Sequence, residues 1–229
     1  FRSDSDSMIL SYLSHKKMVM KNSGIKVIAT SSPIVYRDVI QSFQGKKDML
    51  LSSDDDYNQL NIIKDFDFIA DPVLNQNIFD KYMPVIIKEY IEVLNEADRN
   101  EILKTYHKLE GIIQDSLLLE DLPLELEFNE DLKKFLKLEN LHLDTKFLEE
   151  PYAIIESILK IHQNYNLHSI PVACNVAHYL NLAQVGMLND LLKEMKLKLI
   201  LIEFTSADFL FFPKDVDYFY IDQDLVDWY

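Results

Sequence analysis

The hydrophobic positions of the chain fall into an α/β rhythm interrupted by a helical middle. Near the start, Ile25-Lys-Val-Ile-Ala29 is a short β-branched run behind Gly24, the signal of a buried strand. Ser32-Pro33 then opens a helix, with proline at its first position behind a serine cap, running to about Phe43 and closed by Gly45. Met49-Leu50-Leu51 and Phe66-Asp-Phe-Ile69 predict two further short strands, with the polar Asp54-Asp55-Asp56 between them. From Asp80 to about Leu119 the spacing becomes helical, broken once near Asn95. Asp98 with Glu101 predicts a capping box that restarts the helix, whose apolar stripe is Ile102, Leu103, Tyr106, Leu109 and Ile113. Leu124-Glu-Leu-Glu-Phe128 alternates at period two and predicts a strand, and Asn129 predicts the cap of a helix from Glu130 to about Leu138. The first rhythm returns with a helix over Pro151 to Gln163, a strand over Ile170 to Cys174 and a helix over Leu182 to Met195. Leu197 to Phe204 is a near-continuous apolar run, typical of a central parallel strand, and Asp217 to Asp222 ends the sheet.

The fold class expected is therefore α/β with a mostly parallel sheet. Residues 8–75 and 146–229 form its head, and residues 76–145 an inserted helical leg. Residues 1–7 carry no periodicity and are expected to be a remnant outside the fold. A chain of 229 residues buries roughly 70% of its unfolded surface, enough for a core without staples. Composition agrees: 48% of residues are hydrophobic and only 4 are glycine, which excludes disorder as a global description. The single cysteine, Cys174, excludes an intramolecular disulfide and a multi-cysteine zinc site. Met8-Ile9-Leu10 is too short for a signal peptide, and no apolar run reaches the length of a membrane span, so a soluble, cytoplasmic protein is expected.

Charge complicates the choice of partner. Twenty-three basic against thirty-eight acidic residues give −15, which taken globally repels nucleic acid. The charge is unevenly placed, however. Met8 to Leu50 carries seven basic and two acidic residues, whereas Ile112 to Glu150 carries eleven acidic and four basic. A basic face on an acidic protein remains able to hold a polyanion.

Candidate chemistry narrows the classes. The glycines at 24, 45, 111 and 186 form neither of the Gly-rich phosphate motifs, which counts against an ATPase or a dinucleotide enzyme. Cys174 and His178 stand four apart, as a nucleophile pair might be spaced, but Cys174 ends an apolar strand and reads better as buried. The carboxylate pairs Asp65/Asp67, Asp215/Asp217 and Asp222/Asp224 would suit a metal-dependent nuclease, yet each also fits a solvated strand end. The best metal candidate is Asp121, Glu125, Glu127, Asn129 and Glu130. These are hard oxygen donors suited to Ca²⁺ or Mg²⁺, or else a solvated acidic edge. Lys81 with Lys88, and Lys104 with Lys108, fall on helix faces, either as DNA contacts or as an ordinary exposed surface interleaved with Glu89, Glu92 and Glu96.

The order of elements carries a resemblance. A strand and helix at the start, a long two-helix insertion and Leu124-Glu-Leu-Glu-Phe-Asn-Glu130 are followed by Leu199-Ile-Leu-Ile-Glu-Phe204, Phe212-Pro213 and Asp217-Tyr-Phe-Tyr-Ile-Asp222. In this order the chain resembles the Csn-two family, accessory spacer-acquisition proteins of type II-A CRISPR systems, over nearly everything from Met8 to Ile221. The resemblance implies an α/β head similar to P-loop ATPases without the nucleotide motif, and a helical leg. It implies a ring-shaped homotetramer that holds double-stranded DNA, loaded from free ends, in a lysine-lined hole. It further implies calcium bound through the acidic segment matching Asp121, Glu125, Glu127, Asn129 and Glu130, and no catalytic activity. Its partners would be the integrase and the effector nuclease of the same locus. The residues taken as DNA-binding are Lys16, Lys17, Arg37, Lys46 and Lys47 in the basic N-terminal stretch, with Lys81, Lys88, Lys104 and Lys108 on the helices. Asn129 and Pro123 stand where relatives tend to carry carboxylates, so weaker calcium binding is expected. His15-Lys-Lys-Met18 replaces the expected acidic–proline turn and adds positive charge to the head. A metal-dependent nuclease and an acidic protein-interaction scaffold are the alternatives.

Overall fold

The computed structural model describes residues 7–125, 131–144, 149–206 and 211–228. The chain divides into two compact units, Phe1–Ile78 with Asp144–Tyr229, and Phe79–Leu143.

The first unit is built on a six-stranded sheet. Its strands are β3 (Gly24–Thr30), β5 (Phe66–Ala70), β6 (Ile170–Cys174), β7 (Lys198–Phe204), β8 (Asp217–Ile221) and β9 (Asp227–Trp228), in the order β5-β6-β7-β3-β8-β9. All neighbours run parallel except β9, which turns back antiparallel on β8. This is the mostly parallel α/β sheet that the apolar runs predict. Its central strands are covered on both faces, so they read as continuous rather than alternating hydrophobic segments.

The two faces sort by residue parity. Ile25, Val27 and Ala29 of β3 join Leu199 and Leu201 of β7 beneath α6 (Pro151–Asn164) and α7 (Leu182–Met195). Ile28, Ile200 and Ile202 pack on the opposite face with Val35 and Val39 of α1 (Pro33–Phe43). Leu199, Ile200, Leu201 and Ile202 are each fully buried, worth about 1.5–3 kcal/mol apiece relative to exposure. Gly24 enters β3 at φ +114°, and a Cβ there would stand 2.7 Å from Asn189 Oδ1. That oxygen accepts the Ile25 N–H at 2.9 Å, so glycine lets α7 hold the strand's first amide.

A second, three-stranded antiparallel sheet in the order β2-β1-β4 lies in the same core as α1. It comprises β1 (Met8–Tyr12), β2 (Met18–Met20) and β4 (Leu50–Asp54). Met8, Leu10, Tyr12, Met18, Met20 and Leu50 are among its buried residues. Sequence reasoning missed β1, β2 and β9. Runs of three to five residues rich in methionine give weak strand signals, and the pairing of Met8 with Met20 and Asp54 is what makes β1 and β2 strands. Ser7, set aside as a remnant, is buried, and its N–H donates to Asp55 Oδ2 at 3.0 Å. The short helix α2 (Ile62–Asp65), capped by Asn61, leads into β5.

The second unit is helical. A 3-10 turn (Asp80–Tyr82) leads into α3 (Met83–Val93), followed by α4 (Glu96–Leu117) and α5 (Leu132–Leu138). The break falls where expected, but its chemistry differs. Asn95, rather than Asp98, caps α4, accepting the Asp98 N–H at 2.8 Å. Arg99 Nη2 donates to the Ile91 carbonyl at 2.6 Å, tying α4 back to the end of α3. The predicted helix from Glu130 begins instead at Leu132, with Asp131 as the cap accepting the Lys133 N–H at 2.9 Å. Phe135 of α5 meets Tyr106 of α4 with ring centroids 5.0 Å apart. The α4 stripe is only partly covered, since Ile102, Leu103 and Tyr106 are half-buried whereas Leu109 and Ile113 are exposed. Leu124 and Glu125 are not in a strand, and the remainder of that predicted strand lies outside the described residues.

Candidate functional site

The cations proposed for DNA occupy different electrostatic settings. Lys16 and Lys17 are exposed in the turn between β1 and β2. That turn is pinned by Asp227, which receives His15 Nδ1 at 2.7 Å and the Lys16 N–H at 3.0 Å. Lys17 Nζ lies 4.8 Å from the centre of the Tyr57 ring. Arg37 and Lys47 are already committed, because both bond Asp38 Oδ1, at 3.2 Å from Arg37 Nη2 and 2.6 Å from Lys47 Nζ. Burial opposes ionisation of Asp38, yet the hydrogen bonds from Lys47 and Arg37 outweigh it and hold this carboxyl below the usual range. Lys46 is exposed beyond α1.

In the helical unit, Lys81 lies on the 3-10 turn, with Nζ 4.9 Å from the Tyr82 ring centre. The seven-residue spacing to Lys88 therefore crosses a change of helix type. Lys88 faces Glu92 at 3.6 Å in an exposed i,i+4 pair, an arrangement worth little in water. Lys104 and Lys108 are exposed on α4, one turn apart. Sequence reasoning did not count Lys133, Lys134 and Lys137, three exposed cations on α5, among the DNA contacts. Their spacing of three and four was the available signal.

Of the metal candidates, Asp121 and Glu125 are exposed and outside regular structure. Glu127, Asn129 and Glu130 lie outside the described residues. The donor set, carboxylates with one amide oxygen, has the chemistry of a hard-cation site. Among the described residues no group of three or more His, Cys, Asp or Glu side chains is placed to hold a metal ion. The carboxylate pairs considered for nuclease chemistry are engaged structurally. Asp67 Oδ2 meets the buried His162 Nε2 at 2.9 Å. Asp215 bonds Lys193 and Asn189, Asp217 takes the buried Lys26 ammonium at 2.7 Å, and Asp222 accepts the Trp228 indole N–H at 3.0 Å.

A nucleotide-binding sheet would place phosphate at the turn after β3. Here that turn is Thr30-Ser31-Ser32-Pro33. Proline at the first helical position has no N–H, and the Ser32 N–H is taken by Thr30 Oγ1 at 2.9 Å. Two donors that a phosphate cradle would use are thus removed.

Polar groups gather instead beyond the carboxyl ends of β5, β6 and β7, a grouping the sequence reading did not single out. Asp71 Oδ2 accepts the Tyr179 hydroxyl at 2.9 Å and the Asn175 amide at 3.2 Å, and Asn175 Oδ1 accepts the Tyr36 hydroxyl at 2.7 Å. Asn175 adopts the left-handed conformation at φ 61°, which turns its side chain into this chain of bonds. Glu203, 1% exposed, accepts the Ala177 N–H at 3.0 Å. Burial raises its carboxyl to about 7 despite the backbone donors Ala177 and Val176. Burial also pushes the Cys174 thiol up to about 12, so it is a neutral core group at physiological pH. The signal for this cluster was a polar residue near the carboxyl end of each predicted strand, Asp71, Asn175 and Glu203, where open α/β sheets place their ligands.

Among the described residues no helix is long and apolar enough to cross a membrane. No protein-family model and no curated protein matches the chain. The crystal structure of Stu0660 of Streptococcus thermophilus is similar, with a TM-score of 0.61 at 11% sequence identity, covering 97% of this chain and 76% of that one. At that identity the likeness establishes a shared α/β fold, and function rests on the residues.

Proposed function

We propose that the chain is a non-enzymatic binder of double-stranded DNA ends acting in CRISPR spacer acquisition, as a calcium-stabilised, ring-shaped homotetramer. The observation that carries this reading is the pairing of two features. A P-loop-like parallel sheet has a β3–α1 turn lacking two of the donors a phosphate cradle would use, and a separate helical unit carries exposed lysines on α4 and α5. The fold shared with Stu0660 supports the head that the Csn-two resemblance implies. In this reading Lys104, Lys108, Lys133, Lys134 and Lys137 supply phosphate contacts, joined on the head by the exposed Lys16, Lys17 and Lys46. Arg37 and Lys47 contribute less, because they share Asp38, whose single negative charge offsets one of their two positive charges.

A ring reconciles such binding with the net charge of −15, because few cations turned inward suffice while the anions face solvent. Asp121, Glu125, Glu127, Asn129 and Glu130 are the residues that would hold Ca²⁺, which offsets charge in the acidic segment. The exposed Leu109, Ile112 and Ile113 of α4 form a surface that subunit contact would cover. The integrase and effector nuclease of the same locus are the protein partners.

Fluorescence anisotropy with linear duplexes of unrelated sequence tests the mode of binding. Phosphate-only contact gives equal affinities across sequences, and log K falls with log salt at about 0.9 per phosphate contacted. An affinity that tracks one sequence and ignores salt would contradict it.

A further inference from the structure

A second site, separate from the lysine-bearing helices, lies on the sheet. Beyond the carboxyl end of β7 opens a cleft of about 210 Å³, lined by Ala177, His178, Glu203, Phe204, Phe211 and Phe212. Its walls are aromatic. Phe204 is 42% exposed and Phe211 stands edge-on to Phe212 at 5.2 Å. Its polar lining is the Glu203 carboxyl with the His178 imidazole and the Thr205 hydroxyl. Glu203 Oε1 accepts the Ala177 N–H, whereas Oε2 is buried and accepts no hydrogen bond among the described residues. The nearest cationic group is the exposed imidazole of His178, with Nδ1 3.8 Å from Oε2.

A buried carboxylate without a paired cation is costly, and native proteins leave few such groups without a purpose. The cleft's volume lies below the roughly 300–1,000 Å³ of ordinary small-molecule pockets, so its guest has the size of a side-chain head group rather than a nucleotide. Aromatic faces around a carboxylate favour a flat cation that stacks on the rings and donates N–H groups to the acid. We propose that this cleft binds a guanidinium group, seated against Phe204 and Phe211 and donating to Glu203 Oε2. The exposed His178, beside Oε2, is displaced on entry. The cation is carried either by a small free guanidine or by an arginine side chain of a protein partner. Only ionised Glu203 attracts it, so binding strengthens as pH rises through about 7. The other titratable groups around Glu203 are Asp71 beyond β5, Cys174 at the end of β6, Tyr36 on α1, Tyr179, and His178.

The test titrates the full chain with methylguanidinium, with capped arginine amide and with the neutral capped citrulline amide, following phenylalanine ring resonances by NMR. The two cations should shift these resonances saturably and citrulline should not. Glu203→Gln, whose undisturbed remaining spectrum reports an intact fold, should weaken binding about tenfold or more. His178→Gln should keep the pH profile. Tighter binding of capped arginine assigns the guest to a protein partner, and methylguanidinium alone binding assigns it to a free small cation. Equal shifts with citrulline, undiminished binding by Glu203→Gln, or no saturation with any cation would overturn the proposal.

Discussion

Replacing Asp38 with alanine should lower the chain's unfolding free energy by about 2–3 kcal/mol, because one buried carboxylate serves three donors. Asp38 sits on α1 with Oδ2 accepting the Tyr12 hydroxyl of β1 at 3.2 Å, while Oδ1 takes Arg37 and Lys47. The carboxylate therefore ties the small sheet, the central helix and the β4 approach together. Removing one partner of a fully buried ion pair costs about 3–5 kcal/mol. Here Arg37 is 56% and Lys47 30% exposed, so both cations rehydrate and the loss is smaller. A melting experiment should show a drop of roughly 5–10 °C for a chain of this size. The same group sets an acid limit. Its folded-state carboxyl lies below the ordinary value of 3.8, so its stabilisation is present above that value and disappears as pH falls through the depressed one. The difference between wild type and Asp38→Ala should therefore be constant near neutrality and shrink in strong acid. A difference that persists unchanged below pH of about 2 would show that packing rather than charge is responsible.

Reversing Lys104 and Lys108 to glutamate should weaken binding to linear duplex DNA by roughly 100-fold at moderate salt and lower the salt slope by about two for each engaged subunit. Both are exposed on one face of α4, so reversal removes two phosphate contacts per engaged subunit and adds repulsion without disturbing a packed core. Arg37→Glu should change affinity far less, because its guanidinium is already paired with Asp38. An equal loss from Arg37→Glu would place the DNA on the head instead. Anisotropy across a salt series separates these outcomes.

What was legible in the sequence was what burial dictates. The central strands β3, β7 and β6, with α1, α6 and α7, announced themselves because both sheet faces are covered and every residue of Leu199 to Ile202 is apolar and buried. The edge elements were not legible. β1 and β2 depend on a register between Met8 and Met20 that no local signal encodes. Cap assignments slipped by a few residues for a related reason, since Asp98 and Asn95, or Asn129 and Asp131, offer the same side-chain chemistry. The residues proposed to contact DNA were legible only as charge. Sequence shows that Arg37 and Lys104 are both cations, but not that Asp38, buried by β1 and α1, already holds the first. The Glu203 cleft was hidden more deeply, because an acid at the end of an apolar strand looks like an ordinary solvated terminus until the Val176–His178 turn closes over it.

The central claim, a closed ring loaded from DNA ends and stabilised by calcium, is tested most directly by one gel-shift experiment. Matched linear and covalently closed circular duplexes are mixed with the protein at fixed moderate salt, with Ca²⁺ or with EDTA. The account predicts retention of the linear DNA only, and only with calcium. Equal retention of circles, or binding indifferent to EDTA, would contradict both the threaded ring and the calcium-holding role of the acidic segment.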